Sequence, residues 1–165
     1  MTIYFEDIEA NSLLEGLTKI HCLSSVTLAD DVVTYTKDYS EHFLSLKDGD
    51  TLVYHNGFGY DYPAMQKLGI IDDWDIDRNL LTVGGVTKEI QHIDTLALSR
   101  EWWPDRPDGH SLEAWAKYLK TFKPQISDWE NLPLSVYIDR CENDTITTKK
   151  LFIFLCEKLG IDYGD

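Results

Sequence analysis

The chain has 165 residues, 43% of them hydrophobic and 12% aromatic, and a formal net charge of −14. That length fits one domain with a buried core, and that composition excludes a disordered chain. The charge excludes a large electrostatic grip on duplex nucleic acid, but it leaves two classes open: an enzyme that holds a short strand end through metal ions, and an acidic binding protein that mimics DNA.

In chain order, residues 3–8 read as a first strand. Residues 19–28, "KIHCLSSVTL", and 32–36, "VVTYT", read as two more, joined by the acidic turn Ala29-Asp30-Asp31. Residues 40–47, "SEHFLSLK", read as a short helix with Ser40 as its N-cap. The turn Asp48-Gly49-Asp50 leads into a compact buried strand, "TLVYH", at 51–55. After the loop "NGFG", the stretch "YDYPAMQKLG" predicts a helix with Pro63 in its first turn and Gly69 at its end. Residues 70–90 read as irregular, with a small hairpin around Gly84-Gly85. A last short strand at 90–93 precedes a helix starting near Asp94. "SLEAWAKYLK", residues 111–120, is a helix capped by Ser111, and a closing helix runs from about Pro133 to Leu159. Strands that cluster early and then alternate with helices predict an α/β domain with a mixed sheet: an antiparallel meander first, helical crossovers later.

Three places in this pattern hold acids where packing alone does not ask for them. Ile3, Phe5, Asp7 and Glu9 share one strand face, because strand side chains alternate. Acids are frequent enough in this chain for about five acid-x-acid triplets to arise by chance, so the pair alone is a weak signal. In the closing helix, the stripe Tyr137, Cys141, Thr148, Leu151 and Leu155 has Asp144 in the gap at helical spacing. An inward carboxylate costs several kcal/mol unless it is paired or holds a cation. Asp61 follows a loop with Gly57 and Gly59 and begins a helix, where an acid also suits the helix dipole for about 0.3–1 kcal/mol. Five scattered histidines and three cysteines (Cys22, Cys141, Cys156) show no zinc or redox spacing. A reduced, cytoplasmic setting is the expectation, with no membrane span and no export signal.

The strings "DIEANSLLE", "HNGFGYDYPAM", "IDTLALSR", "GHSLEAWAKYLK" and "CENDTITTKKLF", in this order, resemble the proofreading 3′→5′ exonuclease domain of phage family A DNA polymerases. The resemblance covers nearly the whole chain. It implies the DEDD class of exonucleases and a ribonuclease-H-like (DnaQ-like exonuclease) fold, a five-stranded mixed sheet flanked by helices. It also implies a stand-alone exonuclease domain over residues 1–165 in a phage-infected host cell, with a DNA polymerase supplied in trans. Its site would be Asp7, Glu9, Asp61 and Asp144, holding two Mg²⁺ or Mn²⁺ ions roughly 3.5–4 Å apart. Asp7 would bridge both ions, Glu9 and Asp144 would complete the site of the attacking water, and Asp61 would reach the second ion, through water.

The pattern breaks at one position. The family carries a tyrosine four residues before the last aspartate, or a histidine five before it; here Arg140 and Asp139 stand there. An arginine cannot act as a base near neutral pH. Arg140 could pair with Asp144 one turn away, or hold the scissile phosphate. Tyr137, two turns from Asp144, is a poor substitute. Candidates for gripping a single-stranded 3′ end are Ala10, Asn11, Leu13 and Leu14 after the first motif, Asn56 and Phe58 in the glycine loop, and Lys123 in the basic run "KYLKTFK" with Lys117 and Lys120. Trp102, Trp103 and Trp115 read as core anchors. Three functions stay open on these residues. The first is an active exonuclease on single-stranded DNA, with RNA as the alternative substrate. The second is a relative weakened by Arg140 that binds strand ends, and the third is an acidic module that binds protein.

Overall fold

A computed structural model describes residues 1–164. Strands β1 (Ile3–Ala10), β2 (Ile20–Thr27) and β3 (Val33–Tyr35) form the expected antiparallel meander. Two further strands, β4 (Thr51–Tyr54) and β8 (Gln91–Asp94), extend the sheet in parallel, giving the order β3-β2-β1-β4-β8. The mixed five-stranded sheet agrees with the sequence reading.

Alternation along β1 divides the core into two layers. Ile3 and Phe5 pack with Val26 and Val53 beneath Phe152 and Cys156 of the closing helix α5 (Leu134–Leu159). Ile8 and Ala10 face the opposite layer, built from α1 (Tyr39–Ser45) and α2 (Tyr62–Lys67) through Phe43, Tyr62 and Met65. Helices α3 (Thr95–Trp102) and α4 (Leu112–Leu119) pack beside α5, with Trp115 fully buried against Leu151 and Leu155. Trp102 and Trp103 join that cluster, as expected of core anchors.

Two local expectations are corrected. Ser40 is not the N-cap of α1: the helix starts one residue earlier, after Asp38 in the left-handed region, and no side chain caps it. The Ser40 hydroxyl instead donates to the Ile70 carbonyl at 2.7 Å, a tertiary partner thirty residues away. Residues 70–90 are also more ordered than expected. The hairpin of β6 (Leu80–Val83) and β7 (Val86–Glu89) turns at Gly84 and Gly85, both at positive φ, and β5 (Asp73–Asp75) adds a third antiparallel strand. An Asp-Trp-Asp strand is too short and too acidic to show a strand pattern. Its anchor is Trp74, which stacks on Tyr62 at 4.9 Å and Phe58 at 6.0 Å.

Beneath the sheet, on the face opposite α5, Glu6 is completely buried. Its carboxylate accepts from Tyr54 Oη at 2.5 Å and Ser25 Oγ at 3.1 Å, and pairs with His42 Nε2 at 2.5 Å. Burial alone would lower the His42 pKa; the charge and hydrogen bond of Glu6 outweigh it and raise it.

Candidate active site

Parallel pairing of β1 with β4 covers only Ile3, Phe5 and the residue between them. Beyond Phe5, β1 continues past the end of its neighbour, carrying Asp7 and Glu9 along the edge of a cleft. The backbone N–H of Ile8, freed from β4, donates to Asp61 Oδ1 at 3.3 Å. Asp61 reaches that point from a single wide helical turn, Gly57–Asp61, closed by the Tyr62 N–H on the Gly57 carbonyl. Such five-residue turns often mark functional sites.

Asp94, which the sequence reading used only as a helix start, anchors this turn. Its carboxylate caps α3 at Leu96 N (2.9 Å) and also accepts from Asn56 N (2.8 Å) and Phe58 N (3.2 Å). An acid between a strand and a helix, as in "IDTL", was the available signal. Gly57 permits the turn for a steric reason: an added Cβ would lie 2.4 Å from the Tyr54 Cβ, which β4 holds fixed. Gly57→Ala is therefore expected to cost about 1–3 kcal/mol of stability and to lower Tm by several degrees, as thermal unfolding followed by circular dichroism would show. An unchanged Tm would mean that the turn is not held against β4.

From the other side, α5 brings Asp144 over β1, and the Cys141 thiol donates to the Asp7 carbonyl at 3.2 Å. Asp7, Glu9 and Asp144 offer oxygens that all lie within 4.8 Å of one another. Asp61 is outside that triad but lines the same open cleft of about 1490 Å³. Asp7 Oδ2 and Asp144 Oδ1 are buried without a hydrogen-bond partner. Buried orphan oxygens are costly, and a cluster of hard carboxylate donors suits a divalent cation such as Mg²⁺ or Mn²⁺. The residues present therefore fit a metal.

The chain also supplies cations of its own. Lys123 Nζ lies 3.2 Å from Asp144 Oδ2, and Arg140 Nε lies 3.1 Å from Glu9 Oε1 and 3.8 Å from Asp144 Oδ2. Arg140 also donates to the Pro124 carbonyl at 2.9 Å and sits 5.1 Å from the Trp129 ring. It thus pins the segment 120–133 across the cleft. Tyr137 is part of the same fastening: its hydroxyl donates to the Asp128 carbonyl at 2.8 Å, and its ring stacks on His21 at 3.8 Å. Sequence reasoning missed this strap, because its bonds to Asn11, just past β1, and to His21 in β2 join residues more than a hundred positions apart.

Of the strand-gripping candidates, Ala10, Asn11, Leu13, Leu14, Asn56 and Lys123 line the cleft. Leu13, on the cleft wall, is 78% exposed. The Asn11 side chain is committed to Thr18, Lys19 and Glu130. Phe58 lies away from the cleft, in the stack with Tyr62 and Trp74. Tyr60 lines the cleft instead, donating to the Ser12 carbonyl at 2.6 Å.

Crowding shifts the carboxyls upward. Burial raises Asp7 well above the usual range, and Asp144, Asp61 and Glu9 add to the effect. Burial likewise raises Asp61 and pushes Glu9 up to about 7, although Arg140 opposes the rise in Glu9. A carboxyl raised in the folded state stabilises fully below its unfolded pKa, and that contribution is lost as pH climbs through the folded pKa. In chelator, wild-type Tm is therefore expected to fall relative to that of Glu9→Gln as pH rises from about 5 through 7. His55, lowered by burial to about 4, titrates the same way in both proteins and cancels. Parallel Tm–pH curves would contradict this electrostatic picture.

No family model matches the chain. It is 30% identical over 137 residues to the DNA-directed DNA polymerase of Escherichia phage T7, a match that takes in 74% of this chain and 20% of the polymerase. The chain thus spans about a fifth of the length of that relative. Phi29 DNA polymerase complexed with single-stranded DNA shares the fold, with a TM-score of 0.60 over 98% of this chain and 32% of the polymerase at 14% identity. Exonuclease X in complex with 5′ overhanging duplex DNA does so with a TM-score of 0.57, over 96% of this chain and 93% of the exonuclease at 16% identity. The fold is the ribonuclease-H-like fold of these exonuclease domains. The chain is thus similar in sequence to part of a phage DNA-directed DNA polymerase and shares its fold with a DNA polymerase and an exonuclease.

Proposed function

We propose that this chain is a metal-dependent 3′→5′ exonuclease. It hydrolyses the terminal phosphodiester of single-stranded DNA, with RNA as the alternative substrate, and releases nucleoside 5′-monophosphates. The observation that carries the reading is the convergence of Asp7, Glu9 and Asp144, with two orphaned buried oxygens, at the wall of an open cleft that Asp61 also lines. An exonuclease domain over residues 1–165, with a DNA polymerase as partner, belongs to the same proposal.

Two Mg²⁺ or Mn²⁺ ions, held by Asp7, Glu9, Asp61 and Asp144, would supply an activated water and charge relief at the leaving 3′-oxygen. The chain's own groups do the rest. Leu13, exposed beside the carboxylates, offers an apolar surface for the terminal base. Asn56 and Tyr60 border the same space. Arg140 and Lys123 lower the repulsion among the acids and between the acids and an approaching phosphate.

A second reading is favoured by one specific observation. Arg140 and Lys123 already neutralise Glu9 and Asp144, so they compete with incoming cations and describe a weakened enzyme that binds strand ends. Polarity separates these outcomes. A single strand blocked at its 3′ end by an inverted linkage should resist digestion, whereas one blocked at its 5′ end should yield mononucleotides on chromatography. Equal digestion of both would overturn the exonuclease reading, and binding without digestion would favour the weakened relative.

A further inference from the structure

The cleft of about 1490 Å³ exceeds the roughly 300–1,000 Å³ of a typical small-molecule site and has room for more than one nucleotide. A strand of several phosphates entering a protein of net charge −14 needs positive groups beyond the carboxylates. Three lysine or arginine side chains line the cleft: Arg100, Lys123 and Arg140. Lys123 and Arg140 are committed to Asp144 and Glu9. Arg100 is exposed in the last turn of α3, and its side chain makes no hydrogen bond or ion pair among the described residues.

The two histidines of the cleft sort the same way. His55 is tied at Nδ1 to Thr95 Oγ1 (2.9 Å) and hydrogen-bonds the backbone of His110, so its ring is in use. His110 bonds through Nδ1 to Ser99 Oγ at 2.6 Å, and its Nε2 has no protein partner among the described residues. When Ser99 donates that bond, the neutral ring carries its proton on Nε2 and can donate it in turn. Ser99 precedes Arg100 in α3, so the bond to Ser99 ties His110 to the same helical turn that carries Arg100. Ser111 and Leu112 continue the same wall into the first turn of α4, whose end is electropositive, though Glu113 in that turn opposes it.

We propose that Arg100 and His110 form a phosphate subsite for the phosphodiester on the 5′ side of the scissile one; this rests on the exonuclease reading above. The competing account, an arginine that merely answers the dipole at the end of α3, gives Arg100 no preference for any one linkage of a strand.

The test uses a six-nucleotide single strand carrying one neutral methylphosphonate, at either the second or the fourth linkage from the 3′ end. It measures kcat/KM with Mn²⁺ for the wild type, Arg100→Gln, Arg100→Lys and His110→Gln. For the wild type, neutralising the second linkage is expected to cost about ten- to hundredfold, the scale of a charge-assisted hydrogen bond, mainly through KM. Arg100→Gln should lose a similar factor on the fully charged strand and show little further loss when the second linkage is neutral. Arg100→Lys should recover part of it, and His110→Gln should shrink the penalty less than Arg100→Gln does. A full second-linkage penalty persisting in Arg100→Gln would overturn the subsite while leaving the exonuclease intact. An equal penalty at the fourth linkage in the wild type would do the same, without any variant having to fold. If no strand is digested by the wild type, the subsite and the exonuclease fall together.

Discussion

Asp7→Ala is expected to reduce strand hydrolysis by at least about a thousandfold, because it removes a ligand worth several kcal/mol of transition-state stabilisation. The same change should raise Tm in chelator. Asp7 Oδ2 is buried without a partner, and the carboxyl is raised by burial and by Asp144, Asp61 and Glu9 around it. Removing it relieves both penalties in the metal-free protein. The two effects together separate a metal ligand from a residue that merely supports the fold, whose loss would lower activity and Tm together. The wild type, but not Asp7→Ala, should also gain several degrees on addition of Mn²⁺, because a ligand of the native state stabilises by mass action. Retention of more than a few per cent of activity would sink the role given to Asp7. Asp144→Ala should behave alike for activity, but with a smaller gain in metal-free Tm, because it strips Lys123 of its partner.

The second large effect is expected from Arg140→Tyr. Arginine at this place holds Glu9 and Asp144 by its charge, and it cannot take a proton. Tyrosine frees Glu9 of its partner, leaves Asp144 with Lys123 alone, and supplies a hydroxyl to aim the attacking water. Orienting or proton-transfer groups contribute about 10²–10⁴-fold; we expect at least about tenfold in single-turnover rate at saturating Mn²⁺. The concentration of Mn²⁺ needed for half the maximal rate should fall. In chelator the variant should be less stable, having lost the bond to Pro124 O and the contact with Trp129 as well as the ion pairs. A fall in single-turnover rate would instead make Arg140 a phosphate contact, one that Arg140→Lys would preserve only in part because the planar fork is lost.

Three of the carboxylates, Asp7, Glu9 and Asp144, stand out from local patterns, but joining them with Asp61 in one site came from the family resemblance. Asp144 interrupts an apolar stripe that the structure buries from Tyr137 through Leu155. Asp7 and Glu9 end a strand face that Ile3 and Phe5 begin in the core. The meander, the glycine loop and the closing helix follow from short-range periodicity and turn chemistry. What stayed hidden is non-local. Glu6 reads as an ordinary surface acid until His42 and Tyr54 close over it from 36 and 48 residues away. The strap carrying Lys123 and Trp129 has no repeating secondary structure, and it is held by single bonds to His21, Asn11 and Arg140. Ser40 shows the converse failure, where a good local cap residue was taken by a tertiary acceptor.

The central claim, that these carboxylates use divalent cations to cut a strand from its 3′ end, meets its most direct test in one measurement. A single-stranded DNA labelled at its 5′ end is incubated with the protein and Mg²⁺ or Mn²⁺, with and without chelator, and resolved by length over time. The account predicts a ladder shortening one nucleotide at a time with metal and an intact strand in chelator. Cleavage that persists in chelator, or an intact strand at saturating Mn²⁺ with protein in excess, would contradict it.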